Sequence, residues 1–150
     1  MSRHRTHAPR LSEPVALYGC GRISAQRAVI ATAAEAMRGA FTAEDLHRAV
    51  VAIEPGIGLA TVYRAIAAMQ SAGTLVPVGD REGSALLAVC VRHDHHHHLV
   101  CTECGAVVGV DCPIDEATVR AAAHGGHLVT SHQIILYGLC SQCRARTESA

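Results

Sequence analysis

Lysine and tryptophan are absent from this 150-residue chain, and phenylalanine occurs once. Without lysine, every fixed positive charge is an arginine, whose planar guanidinium can grip phosphate or guanine edges through two parallel hydrogen bonds. With aromatics at 3% and hydrophobic residues at 49%, any core must be built from Ala, Val, Leu and Ile. Two small lobes with thin aliphatic cores need support from a metal ion, from a second chain, or from both. No apolar run approaches the ~20 residues of a membrane span, so no membrane partner is expected. Residues 1–10 carry arginine and histidine, but no apolar stretch follows. They do not read as a secretory signal, and the expected location is cytoplasmic.

The formal net charge is zero, yet it is unevenly spread. Residues 1–79 hold eight arginines against five acids, a net +3, and residues 80–150 hold five against eight, a net −3. A basic first half suits contact with a nucleic acid, although many surfaces are as uneven. The seven cysteines are an odd count. In a cytosolic chain, paired Cys-x-x-Cys spacings read as metal ligands before disulfides.

Residues 1–21 mix Arg, His, Pro, Ser and Gly without a period and read as a flexible basic arm. Ser24 is placed to cap a helix through Val29, Ile30 and Ala33, with Gly39 to end it. Thr42 with Asp45 three residues on resembles a capping box, opening a second helix with Leu46, Val50 and Val51 inward and His47 exposed. After a turn at residues 54–58, a third helix runs over 59–71, with Val62, Ile66 and Met69 on one face. Residues 74–78 and 85–91, around a polar turn, read as a β-hairpin. Three helices and a hairpin over 22–92 make a winged helix-turn-helix. Residues 93–150 read as a small α/β domain: strands at 98–101 and 106–110, a helix over 114–124 and a strand over 128–137. The fold class is therefore α+β. The second domain has too few residues for a core of its own and is expected to form a dimer by extending its sheet across two chains.

The strongest chemical signal is Cys101-x-x-Cys104 with Cys140-x-x-Cys143. Two intervening residues let both sulfurs of a turn reach one ion, and two such turns complete a tetrahedral four-thiolate Zn²⁺ site. No position is left for water, so the site is structural rather than catalytic. The histidine tract at 93–98 is interrupted only by Asp94. If it is extended, His96 and His98 share one side while His95 and His97 share the other, so one segment can serve two metal sites. No H-E-x-x-H occurs, and no H-x-E with P-C-x-x-C, so neither a zincin nor a zinc deaminase is expected and the chain reads as a non-enzyme. A zinc enzyme of another kind, or a metal-storage protein using the histidines, stays as the alternative class.

The segment Ile57-Gly58-Leu59-Ala60-Thr61-Val62-Tyr63-Arg64, followed by four histidines and Leu-Val-Cys-x-x-Cys, resembles the ferric uptake regulator family. Arg22-Ile23-Ser24-Ala25-Gln26-Arg27 and Leu136-Tyr137-Gly138-Leu139-Cys140 are similar to further motifs of that family. The resemblance covers about residues 20–144 and implies a metal-dependent repressor that binds palindromic double-stranded DNA as a homodimer. It implies DNA contacts by Tyr63 and Arg64, and by Arg22 at a groove or backbone. Ala60 and Thr61 lie where recognition helices meet bases.

The resemblance further implies a regulatory hinge site at His96 and His98. Cys90, six residues before His96, resembles the zinc-uptake branch, and a soft thiolate favours Zn²⁺ over Fe²⁺ or Mn²⁺. That branch also supplies an Asp from the strand after the third helix. Here Thr74-Leu75-Val76-Pro77-Val78 has no acid, Asp80 and Glu82 are displaced, and the fourth ligand stays open. A third site is implied at His95, His97, Glu116 and His132. Within the family, an iron-, manganese- or peroxide-responsive regulator is the alternative. Cys112, ahead of Pro113, reads as packing or a spare thiol, and Cys20 and His93 receive no role.

Overall fold

The computed structural model describes residues 14–19, 22–92 and 94–148. Cys20, His93 and most of the expected arm lie outside the described residues. The arm's last part departs from expectation. Pro14–Tyr18 is a short 3-10 helix with Leu17 fully buried. The Thr74 hydroxyl donates to the Leu17 carbonyl, and the Tyr18 hydroxyl donates to the Arg27 carbonyl at 3.0 Å. A leucine amid the polar residues had a core to enter, which composition alone did not reveal.

Helix α1, Ala25–Ala36, starts where the Ser24 side chain accepts the Arg27 N–H at 3.3 Å. It buries Ile30, Ala31, Ala33 and Ala34, and its small residues let neighbouring helices approach closely. Helix α2, Ala43–Ile53, has a reciprocal capping box: the Thr42 hydroxyl accepts the Asp45 N–H and the Asp45 carboxylate accepts the Thr42 N–H, both at 3.1 Å. His47 is half-buried rather than exposed, because its Nε2 donates to the Ile57 carbonyl at 3.1 Å and ties α2 to the turn before α3. Helix α3, Leu59–Ser71, buries Val62, Ala65, Ile66 and Met69, and Gly73 at φ +72° turns the chain out of it.

Strands β1, Leu75–Arg81, and β2, Ser84–Val89, pair antiparallel from Leu75↔Val89 to Arg81↔Ser84. Phe41 pairs with Leu87 on the other side of β2, which completes the wing. The aliphatic core lies between the three helices and this hairpin, with Phe41, Leu46, Val50 and Met69 at its centre.

The second lobe is a three-stranded sheet in the order β4-β3-β5. Strand β3, His97–Cys101, pairs antiparallel with β4, Val107–Val110, and parallel with β5, Ile135–Gly138. Helix α4 spans only Glu116–Ala121, shorter than the expected 114–124: the Asp115 side chain caps its start by accepting the Thr118 N–H at 2.7 Å, and it ends at the Ala122 cap. The expected strand 128–137 likewise shrinks to its end, since β3 begins at His97 and offers earlier residues no partner. Helix α5, Ser141–Glu148, was not foreseen; it is polar and buries only Cys143.

The two lobes touch through a second small core of Val78, Ala88 and Val100. The Ala40 N–H donates to the Gly105 carbonyl at 2.8 Å, and the Tyr137 hydroxyl donates to the Val78 carbonyl at 3.2 Å. Gly39, at φ +93°, sits so close that an added Cβ would lie 2.3 Å from the Gly105 oxygen.

Asp45 also pairs with Arg48 at 3.2 Å and with Arg81 on the wing. Its carboxyl is held below its ordinary value, first by the Thr42 backbone N–H and further by Arg81. A depressed carboxylate stabilises the fold above its unfolded pKa and loses that contribution as pH falls through its folded one. Asp45→Asn should therefore cost about 1 kcal/mol at neutral pH. The difference from the parent should shrink as pH falls through the lowered pKa of Asp45 in the folded chain, as read by urea denaturation across pH.

Candidate metal centres and DNA-facing surface

The parallel pairing of β3 with β5 sets Cys101 opposite Gly138, so the two Cys-x-x-Cys turns leave the same end of the sheet. Cys101, Cys104, Cys140 and Cys143 bring their sulfurs within 4.8 Å of one another, and none is disulfide-bonded. The Cys104 and Cys140 sulfurs are 3.8 Å apart. That is the edge of a tetrahedron with Zn–S bonds of ~2.3 Å, about 3.8 Å. Backbone N–H groups support negative sulfur here: Cys140 N–H donates to Cys101 Sγ at 3.3 Å and Cys143 N–H to Cys140 Sγ at 3.4 Å. The Arg146 guanidinium adds a bond to Cys143 Sγ at 2.8 Å. Backbone donors from Cys104 and Cys140 pull the Cys101 thiol down to about 6, and Cys140 is lowered too. Burial, with the neighbouring thiols, pushes Cys143 up to about 12. Four sulfurs this close cannot all ionise against one another without a cation among them. The donor set therefore fits Zn²⁺.

A second group forms where the wing meets the small sheet. Cys90 follows β2, and its Sγ lies 2.9 Å from His96 Nε2. His96 Nδ1 donates to the Asp94 carbonyl at 2.7 Å, which leaves the Nε2 lone pair facing the sulfur. His98 is buried, and neither ring nitrogen has a hydrogen-bond partner. An unpaired buried imidazole is costly, and a metal ion is the partner this set suits. Burial pushes the His98 pKa down and the Cys90 thiol up. The surrounding cavity is lined on the β1 side by Val76 and Pro77, with no acid from that strand. Asp80 instead accepts the Gly83 N–H at 2.9 Å in the wing turn. Asp94 is held by Arg92, which also bonds Asp111 at 3.0 Å.

His95, His97 and His132 gather on the opposite side of the tract. The alternation expected of an extended segment thus separates the two pairs of histidines. Glu116 is not brought into this group. Its carboxylate accepts Arg120 Nη2 at 2.6 Å on the exposed face of α4. The fourth member is Cys112, whose Sγ is 3.3 Å from His132 Nε2. Cys112, which the sequence offered as packing or a spare thiol, is thus brought beside the third histidine group. No spacing rule pointed to it, since 20 residues, helix α4 among them, separate it from His132.

On α3, Ala60, Tyr63 and Arg64 are exposed and Thr61 is half-exposed, all near the helix start. The Tyr63 hydroxyl donates to Glu44 Oε1 at 2.8 Å, and Arg64 donates to the Thr61 hydroxyl at 3.0 Å. Gly58 opens α3 without a side-chain cap, and its carbonyl accepts the Thr61 N–H at 2.9 Å. Arg22, ahead of α1, is exposed.

Residues 20–137 match the model of the ferric uptake regulator family. The ferric uptake regulation protein of Bordetella parapertussis is 38% identical over 105 residues, 69% of this chain and 75% of its own. The zinc uptake regulation protein of Mycobacterium tuberculosis is 35% identical over 125 residues, 83% of this chain and 95% of its own. Among solved structures, a zinc uptake regulator complexed with zinc and DNA superposes with a TM-score of 0.69 at 26% identity, covering 86% of this chain and 87% of that one. A zinc-bound manganese uptake regulator gives a TM-score of 0.53 at 32% identity, over 80% of this chain and 91% of that one.

Proposed function

The chain belongs to the ferric uptake regulator family, a metal-responsive, DNA-binding dimeric regulator, and we propose that it is a zinc-responsive repressor of metal-uptake genes. The observation that carries the zinc assignment is the Cys90–His96–His98 group at the junction of the lobes, with Cys90 and His98 buried. Thiolate with two imidazoles is a soft set, suited to Zn²⁺ and poorly suited to Fe²⁺ or Mn²⁺. The likeness to a regulator solved with zinc and DNA supports the same reading.

In this reading the four cysteines hold a structural Zn²⁺, and residues 22–92 and 93–150 are the DNA-binding and dimerisation domains. The chain acts in the cytoplasm and is not an enzyme. No helix among the described residues is long and apolar enough to cross a membrane. Strands β4 and β5 are the sheet edges, and their exposed Val108 and Leu136, both in register with Leu99, form an apolar face for a second copy. Arg22, Ala60, Thr61, Tyr63 and Arg64 contact DNA, with α3 in the major groove.

A bound metal supplies a cross-link. Cys90 belongs to the wing and His96 and His98 to the sheet, so their common ligation fixes how each α3 is held relative to the dimer. Half-sites about one helical turn apart then meet both helices at once. Operator DNA must tighten metal binding by the same factor as metal tightens DNA binding.

The test is operator binding by fluorescence anisotropy at fixed salt, with the four-cysteine zinc retained. Zinc at the hinge should strengthen binding about 5–150-fold over the chelated protein, and more than iron or manganese does. Equal affinity with and without hinge metal would remove the mechanism. A stronger response to iron or manganese would move the chain to another branch of the family.

A further inference from the structure

We propose that Cys112, not Glu116, is the anionic ligand of the third metal group, making it a thiolate–imidazole site for a soft divalent cation. The inference deepens the metal-regulator reading and rests on it, but it concerns a site separate from the hinge.

Cys112 sits two residues beyond β4 and faces the loop that carries His132. His132 Nε2 is the meeting point: His95 Nε2 lies 3.1 Å from it and Cys112 Sγ 3.3 Å. Ligands on one tetrahedral zinc, at bonds of ~2.0–2.1 Å to nitrogen and ~2.3 Å to sulfur, are about 3.3 Å and about 3.6 Å apart. The observed separations are slightly shorter, so the three atoms need to open by only a few tenths of an ångström. They border a cavity of 370 Å³ that Glu116 also lines, which leaves room for a water to complete the coordination.

Glu116 is tied to Arg120 at 2.6 Å, and its side chain is 80% exposed, so turning inward would break an ion pair and cost side-chain entropy. His97 is fully buried beside His95 and His132, with ring centres 4.7 and 4.9 Å away. Its Nδ1, however, accepts the Ile134 N–H at 3.0 Å, which puts the ring proton of the neutral form on Nε2. A ligand role for His97 would cost that backbone bond, but its Nε2 is buried without a hydrogen-bond partner, so His97 competes with water for the fourth position. Cys112 faces a smaller cost: its thiol donates to the Ile114 carbonyl at 3.0 Å, and ligation removes that proton.

The choice of anion changes what the site selects. A carboxylate with imidazoles accepts manganese, iron or zinc, whereas a thiolate with imidazoles favours zinc and disfavours the harder ions.

The test uses the full-length Cys90→Ser chain carrying Zn²⁺ in its four-cysteine site, so that added Co²⁺ cannot draw a thiolate from the hinge. Co²⁺ should produce a thiolate-to-cobalt charge-transfer band that Cys112→Ser and Cys112→Ala, made in that background, both remove, while Glu116→Gln keeps it. In zinc competition against a chromophoric chelator, Cys112→Ser should weaken the corresponding equivalent on the order of a hundredfold, and Glu116→Gln by less than about threefold. The proposal is overturned if Co²⁺ binds without a sulfur band, if Glu116→Gln loses the ion and Cys112→Ser keeps it, or if no such equivalent binds because the three side chains only hydrogen-bond one another. Operator binding with and without zinc, measured on the parent chain, reports separately on the regulator reading.

Discussion

Changing Cys104 and Cys143 to serine is expected to unfold the C-terminal lobe and separate the dimer, leaving the winged helix folded. The apparent free energy of binding Zn²⁺ to such structural sites is about 10–16 kcal/mol, and it is realised as folding free energy. A whole domain is stable by only about 5–15 kcal/mol. The lobe has little else to draw on: α4 buries no residue, α5 buries only Cys143, and the buried apolar cluster under the sheet is Val78, Ala88 and Val100. The four cysteines join the turn after β3 to the start of α5. Without the ion, that closure is lost and the parallel β3–β5 pairing frays from the same end. Zinc content should fall by one equivalent per chain, sedimentation should report monomer, and the amides of β3–β5 should lose protection from hydrogen exchange while α1–α3 keep theirs. A variant that stays paired and protected after losing the ion would show that side-chain packing, not metal, holds the lobe.

At the hinge, Cys90→Ser should abolish the zinc-dependent gain in operator affinity while leaving the fold intact. Serine is nearly isosteric but is a poor zinc ligand at neutral pH. The two remaining imidazoles, His96 and His98, both belong to the sheet side, so the wing loses its link. The expected loss is the whole coupling, about 5–150-fold in operator affinity, with metal-free affinity unchanged. The pH response separates this from a general weakening. Burial holds the Cys90 thiol above its ordinary value, so it is protonated at neutral pH and must shed that proton to bind. Burial holds His98 below its ordinary value, so it is already neutral there. Hinge affinity should therefore rise about tenfold per pH unit near neutrality, one proton being released, and the slope should flatten in Cys90→Ser. A parent chain with no pH dependence would mean that Cys90 does not bind as a thiolate.

Much of this arrangement was legible in the sequence because its causes are local. Ser24, Thr42 and Asp45 cap helices through bonds spanning three residues. The paired Cys-x-x-Cys turns carry their chemistry in their spacing, and the histidine tract divides its side chains by strand alternation whatever surrounds it. The proximity of Cys101, Cys104, Cys140 and Cys143 could be read this way, whereas that of Cys90 to His96 and His98 was implied by the resemblance to the family.

Other features depend on residues far apart in the chain meeting in space. Leu17 is buried because a groove beside Thr74 receives it, 57 residues away. Cys112 rather than Glu116 meets His132, since Glu116 opens α4 on its exposed face, where Arg120 engages it. His97 joins His95 and His132 only because the segment ahead of β5 folds back on the tract, where the Ile134 N–H donates to its Nδ1. Helix caps and ligand spacings are set by short-range geometry, which a sequence carries within itself. Which thiol, carboxylate or tautomer completes a site is set by packing between distant segments, and that competition is resolved only when the chain is folded.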